Sequence, residues 1–283
     1  MKKVVFVLFI ISVMQFALTG EDNLFSKTSV VYAKSIVFKY SNPEYIKNIP
    51  ASLKRMTLKY GEYTEVFNFS DGKLASEDSN VRDGRHNEYI YDDKGILINC
   101  TPDFSFEYED DFKRKIFFMN NLQRIEKVVY EDSCIKATCI DIGKNRKTGE
   151  LFESTIETVD YFYENNLERL VKIIDKTFMN RKDRNQMSMG YEYDFEYNSC
   201  ENGDELKKVT CINLKDNSVF FTEEYSYSDG YLTQIITDYP SRSSWNARTV
   251  LSDYDEYGNF RCCKIFDSDG AETTYLREFV YKN

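Results

Sequence analysis

The chain is poor in the residues that most catalytic and metal sites require. Its 283 residues include one histidine, one tryptophan, four prolines and twelve glycines. A multi-histidine zinc site is therefore excluded, and a histidine-dependent triad would have to use His86. That residue follows the turn-like residues Asp83 and Gly84, at the expected start of a strand. We therefore predict an exposed loop histidine.

The chain also lacks a basic block. It carries 47 acidic against 37 basic residues, a formal net charge of −10. Such a surface is a poor electrostatic match for nucleic acid or an anionic membrane. Neither a glycine-rich phosphate loop nor a nucleophile elbow is found. We therefore predict no nucleic-acid partner and no cofactor.

The seven cysteines do not form a recognisable disulfide framework, because their number is odd and no Cys-x-x-Cys occurs. Cys262 and Cys263 are adjacent and would point to opposite faces of a strand. The five-residue spacing of Cys134 and Cys139 also separates their faces. We predict that the cysteines are small apolar core residues, with one incidental disulfide as the alternative.

The N-terminus has the features of a secretory signal peptide. Two lysines precede the apolar run Val4–Leu18, and the small residues Thr19 and Gly20 follow. A membrane-spanning helix needs roughly 20 apolar residues, more than this run offers. We predict a signal peptide at residues 1–20 and no membrane span after its cleavage. The mature protein is then exported to the periplasm, the cell surface or the extracellular space.

Aromatic residues are abundant, with 22 Tyr and 21 Phe, and they recur in one short sequence motif, called the phrase below. An aromatic pair closes a run, a short acidic or Gly/Asn turn follows, and an aliphatic run resumes. Self-similarity at a spacing of a few tens of residues indicates a repeat architecture. The copies are 67–74, 89–96, 161–167, 225–232 and 254–260.

Strict alternation in Phe104–Tyr108 and Tyr191–Tyr197 predicts strands with one buried face. Short turns rich in Asn, Asp and Gly separate such runs and imply antiparallel pairing. After a leader at residues 21–50, we predict one all-β domain at 51–283, with roughly seventeen to nineteen strands in an extended antiparallel β-meander. The predicted turns lie near residues 71–72, 94–95, 110–111, 120–121, 148–149, 165–166, 202–203, 216–217, 229–230, 258–259 and 269–270.

Two segments have apolar residues at helical spacing, 166–174 and 232–239. The period alone favours a helix. We predict strands instead, because both segments follow the same phrase and turn as the other copies. A β-bulge just after the turn would shift the alternation by one residue and produce this spacing.

The phrase resembles known β-hairpin repeats. Tyr254–Phe260, Phe266–Gly270 and Thr273–Tyr281 resemble tandem YD (RHS-type) repeats. Phe69–Leu74 and Tyr227–Leu232 resemble MORN or YwqK-like repeats. The resemblance implies an extended sheet of repeated hairpins that curls or spirals, typically in exported or surface proteins. Neither family carries a catalytic constellation in its repeats, so we assign no catalytic, cofactor-binding or metal-binding residue.

Carboxylate pairs at turns are the remaining candidates for chemistry. Glycoside hydrolysis needs two carboxyl groups in one cleft, whereas local bonding to the turn backbone explains acids at these positions. Asp253–Gly258 imitates the start of an EF-hand loop, but the twelfth position is Lys264 rather than Glu. The pairs are Asp92 with Asp93, Asp110 with Asp111, Asp253 with Asp255, and Asp267 with Asp269.

Taken together, the sequence favours an exported bacterial repeat protein without catalytic activity. We expect a binding or cell-envelope interaction module whose partner is a protein or a glycan. It would bind through a large sheet surface, with turns and strand faces as the contact sites. The alternative is a carbohydrate-active hydrolase that uses a turn carboxylate pair.

Overall fold

The structure is a computed structural model that describes Ile46 and residues 49–282, except 81–84, 94, 96, 102–103, 110–113, 120–121, 132, 145–147, 165–168, 179–186 and 201–202. The expected signal peptide and most of the leader lie outside the described residues. Within them there is no helix long and apolar enough to cross a membrane.

The described residues form eighteen strands and one 3₁₀ turn, Ser243–Trp245. The prediction of an all-β protein is therefore confirmed. In chain order, the strands are β1 Leu53–Tyr60, β2 Tyr63–Ser70, β3 Lys73–Ser79, β4 Arg85–Tyr91, β5 Leu97–Thr101, β6 Phe104–Glu109, β7 Arg114–Met119, β8 Leu122–Tyr130, β9 Cys134–Lys144, β10 Leu151–Glu164, β11 Arg169–Phe178, β12 Met187–Cys200, β13 Gly203–Asn213, β14 Val219–Ser228, β15 Tyr231–Asp238, β16 Ala247–Tyr254, β17 Phe260–Asp267 and β18 Glu272–Tyr281.

All strands belong to one antiparallel sheet in which each strand pairs with the next along the chain. The first and last strands also pair, from Leu53 opposite Tyr281 to Lys59 opposite Leu276. Each strand therefore has a hydrogen-bonded neighbour on both sides, so the predicted meander is confirmed and returns to its own start.

Tight hairpins occur where the turn chemistry predicts them. In the β2–β3 turn, Asp71 and Gly72 have φ values of 50° and 78°. In the β14–β15 turn, Asp229 and Gly230 have 53° and 77°. Positive φ at both central residues is the geometry whose twist matches that of paired strands.

A β-bulge follows these turns, as the spacing of apolar residues predicts. In each hairpin an aromatic residue on the first strand lies opposite a leucine on the second strand. The residue before the aromatic one lies opposite the second residue after the leucine, so the residue between has no direct partner. The extra residue after the leucine shifts the alternation. Segments 169–178 and 231–238 are accordingly strands. The aromatic–leucine pairs are Phe69–Leu74, Tyr163–Leu170 and Tyr227–Leu232.

Tyrosines from the next hairpin bind to the backbone at these bulges. The Tyr91 hydroxyl donates to the Leu74 carbonyl at 2.9 Å, and the Tyr197 hydroxyl to that of Leu170 at 2.8 Å. Tyr254 donates in the same way to Leu232. The repeated aromatic residue thus joins successive hairpins beside an interruption of the strand ladder.

Two hydrophobic clusters form the core, one centred on β1–β5 and the other on strands from β8 to β17. The cysteines contribute to both, as predicted: Cys100 lies in the first, and Cys139, Cys211 and Cys263 lie in the second. Cys263 is buried and Cys262 is half-buried, in line with their adjacent positions on β17. Cys134 is buried as well as Cys139, so this pair does not divide into a buried and an exposed thiol.

Candidate binding site

The longest connection that the structure describes in full joins β15 to β16, at residues 239–246. Its backbone turns tightly, because the amide of Arg242 donates to the Tyr239 carbonyl and the amide of Trp245 to the Arg242 carbonyl, at 2.9 and 2.8 Å. The Asn246 side chain accepts from the Tyr239 amide at 2.7 Å and donates to Asp238 at 2.6 Å. These bonds hold the loop in one conformation.

Aromatic side chains connect this loop to the core. Trp245 packs edge-on against Tyr239 with ring centroids 5.6 Å apart, and Tyr239 packs against Phe220 at 5.7 Å. Phe220 in turn lies 5.2 Å from Tyr191 on β12. Tyr239 is buried, whereas Trp245 is 42% exposed. The exposed indole is thus supported by the buried ring of Tyr239, which in turn packs on the half-buried ring of Phe220.

Arg242 lies over this aromatic surface. Its guanidinium carbon is 4.3 Å from the centroid of Trp245 and 5.8 Å from that of Phe220. An arginine in this position interacts favourably with the aromatic face and keeps its N–H donors available in its own plane. We call Arg242 and Trp245, with the supporting rings of Tyr239 and Phe220, the Trp245 platform.

The Trp245 platform combines the side chains that dominate binding surfaces. Tryptophan, tyrosine and arginine supply most of the binding energy at protein interfaces. An indole face offers a large apolar surface for a sugar ring or an apolar side chain, while a guanidinium donates to acceptors beside it. The arrangement therefore offers both an apolar surface and hydrogen-bond donors to a ligand.

Sequence analysis did not single out this loop. The available signal is the only tryptophan of the chain, three residues after an arginine, in a connection that contains Pro240 and three serines. The supporting rings come from β14 and from the connection itself, and their proximity depends on the pairing of β14 with β15 rather than on any local motif.

The turn carboxylates that sequence analysis raised as catalytic candidates bind their own backbone. Asp255 accepts from the amides of Tyr257 and Asn259 at 2.9 and 2.8 Å. Asp267 accepts from the amides of Asp269 and Ala271 at 3.1 and 2.8 Å. This is the local bonding expected of acids at tight turns.

Two carboxylate pairs from the sequence analysis remain. Asp92 and Asp93 lie in the turn after β4, where the Gly95 amide donates to the Asp92 carbonyl at 3.0 Å. Asp110 and Asp111 fall outside the described residues.

His86 is exposed as predicted, but it lies within β4 rather than in a loop. Its ring nitrogens face the carboxylates of Asp78 at 2.6 Å and Glu88 at 3.4 Å. These hydrogen bonds raise the pKa of His86. Among the described residues, no group of three or more His, Cys, Asp or Glu side chains is placed to hold a metal ion.

Sequence analysis also did not identify the buried carboxyl group of Glu223 on β14. Glu223 is only 1% exposed; its carboxyl accepts from the hydroxyl of Tyr225 at 2.5 Å and from that of Thr237 at 3.3 Å. Burial raises the pKa of Glu223 to about 7. The sequence signal is an acid on the same alternate positions as the buried Phe221 and Tyr225.

No protein-family model and no curated protein matches the chain. Among solved structures it is similar to a porin-like protein from Bacteroides vulgatus, at 12% identity and a TM-score of 0.44, covering 81% of this chain and 98% of that one. A porin-like protein from Bacteroides uniformis gives 10% identity, a TM-score of 0.32, and coverage of 82% and 98%.

A TcdB2-TccC3-Cdc42 structure is also similar, at 13% identity and a TM-score of 0.27. The match covers 78% of this chain but only 14% of that chain. At such low identities and TM-scores, none of the three likenesses carries information about activity or partners.

Proposed function

We propose that this is an exported repeat protein that binds a protein or glycan partner through the Trp245 platform and has no catalytic activity. The observation that carries the proposal is the exposed Trp245–Arg242 pair on a loop fixed by the Asn246 side chain. A loop already held in one conformation loses little conformational entropy on association.

Export is supported by the sequence alone, through the apolar run Val4–Leu18 and the small residues after it. We further propose that the hairpins are YD-type or MORN-type units. The support is the shared phrase together with its recurring aromatic–leucine pair and bulge.

The single tryptophan makes this proposal directly testable. In the mature protein, residues 21–283, all indole fluorescence reports on Trp245. We expect a partner retained from envelope extract, or a glycan identified on an array, to change this fluorescence in a saturable way. Trp245→Ala and Arg242→Ala should each weaken binding at least about tenfold, as expected for interface anchors.

Tyr63→Ala is the matched control. Tyr63 is also an exposed aromatic residue, 41% accessible, and it also contacts a neighbouring ring, that of Tyr60 at 5.4 Å. The proposal predicts unchanged affinity for this variant. Unchanged affinity of Trp245→Ala and Arg242→Ala would show that the partner binds elsewhere.

A carbohydrate-active hydrolase that uses a turn carboxylate pair is the second candidate. Glu223 does not support it, because its carboxyl is only 1% exposed and lies out of reach of a glycan. Release of new reducing ends from a cell-envelope glycan would establish hydrolysis. The binding proposal predicts retention of the glycan without release.

A further inference from the structure

Arg277 is a strand residue whose side chain is buried. It lies on β18 opposite Leu58 of β1 and is 2% exposed. Its guanidinium carbon is 4.0 Å from the ring centroid of Phe260 and 4.8 Å from that of Phe279. Stacking on aromatic rings covers the faces of a guanidinium and leaves its donors pointing outward in its own plane.

None of these donors is satisfied by the part of the chain that the structure describes. The Nε, Nη1 and Nη2 atoms of Arg277 have no hydrogen-bond partner among the described residues. A guanidinium carries five N–H donors, and a buried donor without an acceptor is strongly unfavourable. Arg277 is therefore an exception to the rule that buried polar groups are paired.

The nearby acid does not resolve this exception. Asp255 acts on Arg277 electrostatically, but its carboxylate already accepts from the Tyr257 and Asn259 amides and from the Tyr281 hydroxyl, the last at 2.5 Å. Burial lowers the pKa of Arg277 to about 9, so the group is still protonated at neutral pH. Within the described residues, a full positive charge is thus buried without a hydrogen-bonded counter-charge.

We propose that Arg277 is the anchor of an internal binding site for a small carboxylate. A planar carboxylate approaching edge-on can accept two parallel N–H bonds from the guanidinium fork. It needs no access to the faces that Phe260 and Phe279 cover. The site is separate from the Trp245 platform and does not depend on the function proposed for it.

The test is the thermal stability of the mature protein in sodium acetate, with chloride and phosphate compared at the same pH and ionic strength. A ligand that binds only the folded state raises the folding constant by the factor 1 + [L]/Kd, about 100-fold at 100 times Kd. We expect a progressive stabilisation by acetate in the wild type and none in Arg277→Met, which removes the charge while keeping an apolar side chain of similar length.

Arg248→Met is the matched control, because Arg248 also lies over a phenylalanine ring, 4.4 Å from Phe266, but is exposed. This variant should keep the acetate response. Equal responses of the wild type and Arg277→Met, or no response of the wild type to acetate, would overturn the proposal. Equal stabilisation by all three anions would also overturn it, since that is a general salt effect.

Should Arg277→Met fail to fold, the wild type still decides the question. In an NMR titration of the wild type, acetate must then shift the Nε–H resonance of Arg277 in a saturable way. This resonance is assigned as the one that is missing from the spectrum of Arg277→Lys. An unshifted resonance refutes the site.

Discussion

The buried carboxyl of Glu223 should make the stability of this fold depend on pH in an unusual direction. Most native carboxyls have lowered pKa values and stabilise the fold as pH rises. Glu223 has the opposite shift, from 4.5 to about 7, because burial disfavours its charged form more than the Tyr225 and Thr237 hydroxyls favour it.

The direction follows from proton binding in the two states. Between pH 4.5 and about 7, folded Glu223 keeps its proton while the unfolded carboxyl has lost it. The unfolded state then binds fewer protons, so stability falls as pH rises through this window. Below it both states are protonated, and above it both are ionised and the loss is complete.

The magnitude is set by the width of the window. Each pKa unit corresponds to about 1.4 kcal/mol, so a shift from 4.5 to about 7 amounts to on the order of 3 kcal/mol of unfolding free energy. Glu223→Gln keeps the shape of the side chain but cannot ionise. Relative to wild type, we expect this variant to gain about 3 kcal/mol between pH 4.5 and pH 8.

The assay is urea unfolding of the mature wild type and Glu223→Gln at several pH values, followed by circular dichroism and by fluorescence of Trp245. The change of the wild-type–variant difference with pH is the readout, because it cancels the other titrating groups and any pH-independent cost of the amide. Glu224→Gln is the control, because Glu224 is the adjacent acid on the same strand but is exposed. Its carboxylate oxygen lies 3.4 Å from the Nζ atom of Lys208. Parallel pH profiles of wild type and Glu223→Gln would refute the reasoning.

Three further perturbations test other parts of the structure. Asn246→Ala removes the two side-chain bonds that fix the platform loop; we expect a loss of about 1–2 kcal/mol and a red shift of the Trp245 emission. Tyr197→Phe removes the bond to the Leu170 carbonyl; it should cost about 1 kcal/mol in urea unfolding, whereas Tyr231→Phe, at an exposed residue, should cost little. Truncation before β18 exposes the edges of β1 and β17; size-exclusion chromatography should show self-association, and a monomeric product would contradict the pairing of β1 with β18.

Most of the fold could be predicted from the sequence because its signals are local. Asp71 with Gly72 and Asp229 with Gly230 set tight hairpins, and a hairpin of two residues determines which strands pair. The helical spacing in 166–174 was interpretable only through the recurring phrase, since periodicity alone gives the wrong element there. The pairing of β1 with β18 has no such local signal, because it joins residues at opposite ends of the domain.

The candidate sites were not predictable for the same reason. The Trp245 platform brings Phe220 of β14 against Tyr239 of the β15–β16 connection, and the sequence does not show which of its many Phe and Tyr residues support the single tryptophan. The turn carboxylates were conspicuous in the sequence, but Asp255 and Asp267 are occupied by their own backbone. Prominent local sequence patterns therefore identified structural residues, whereas the proposed binding surface depends on long-range strand register.

One position of the repeat connects the fold to its buried charges. This position lies four residues before the aromatic residue that ends a hairpin strand. Its side chain lies on the same buried face as that aromatic ring, because residues separated by an even number of positions share a face of the strand. In β10 this position is apolar, Val159, as a core residue should be. In three other copies it holds an ionisable side chain, Glu65, Glu223 or Arg277, each no more than 5% exposed, whereas in β4 it holds Asn87.

The repeat thus provides a fixed scaffold and leaves this interior position free to vary. Ionised groups at a core position are unfavourable unless something compensates them. For Glu65 and Glu223 the compensation is visible as hydroxyl donors from the adjacent strand, Ser79 and Thr237. For Arg277 no described residue provides it. The departure of Arg277 from the pattern that its own repeat follows is therefore the strongest reason to look for a ligand there rather than at the turns.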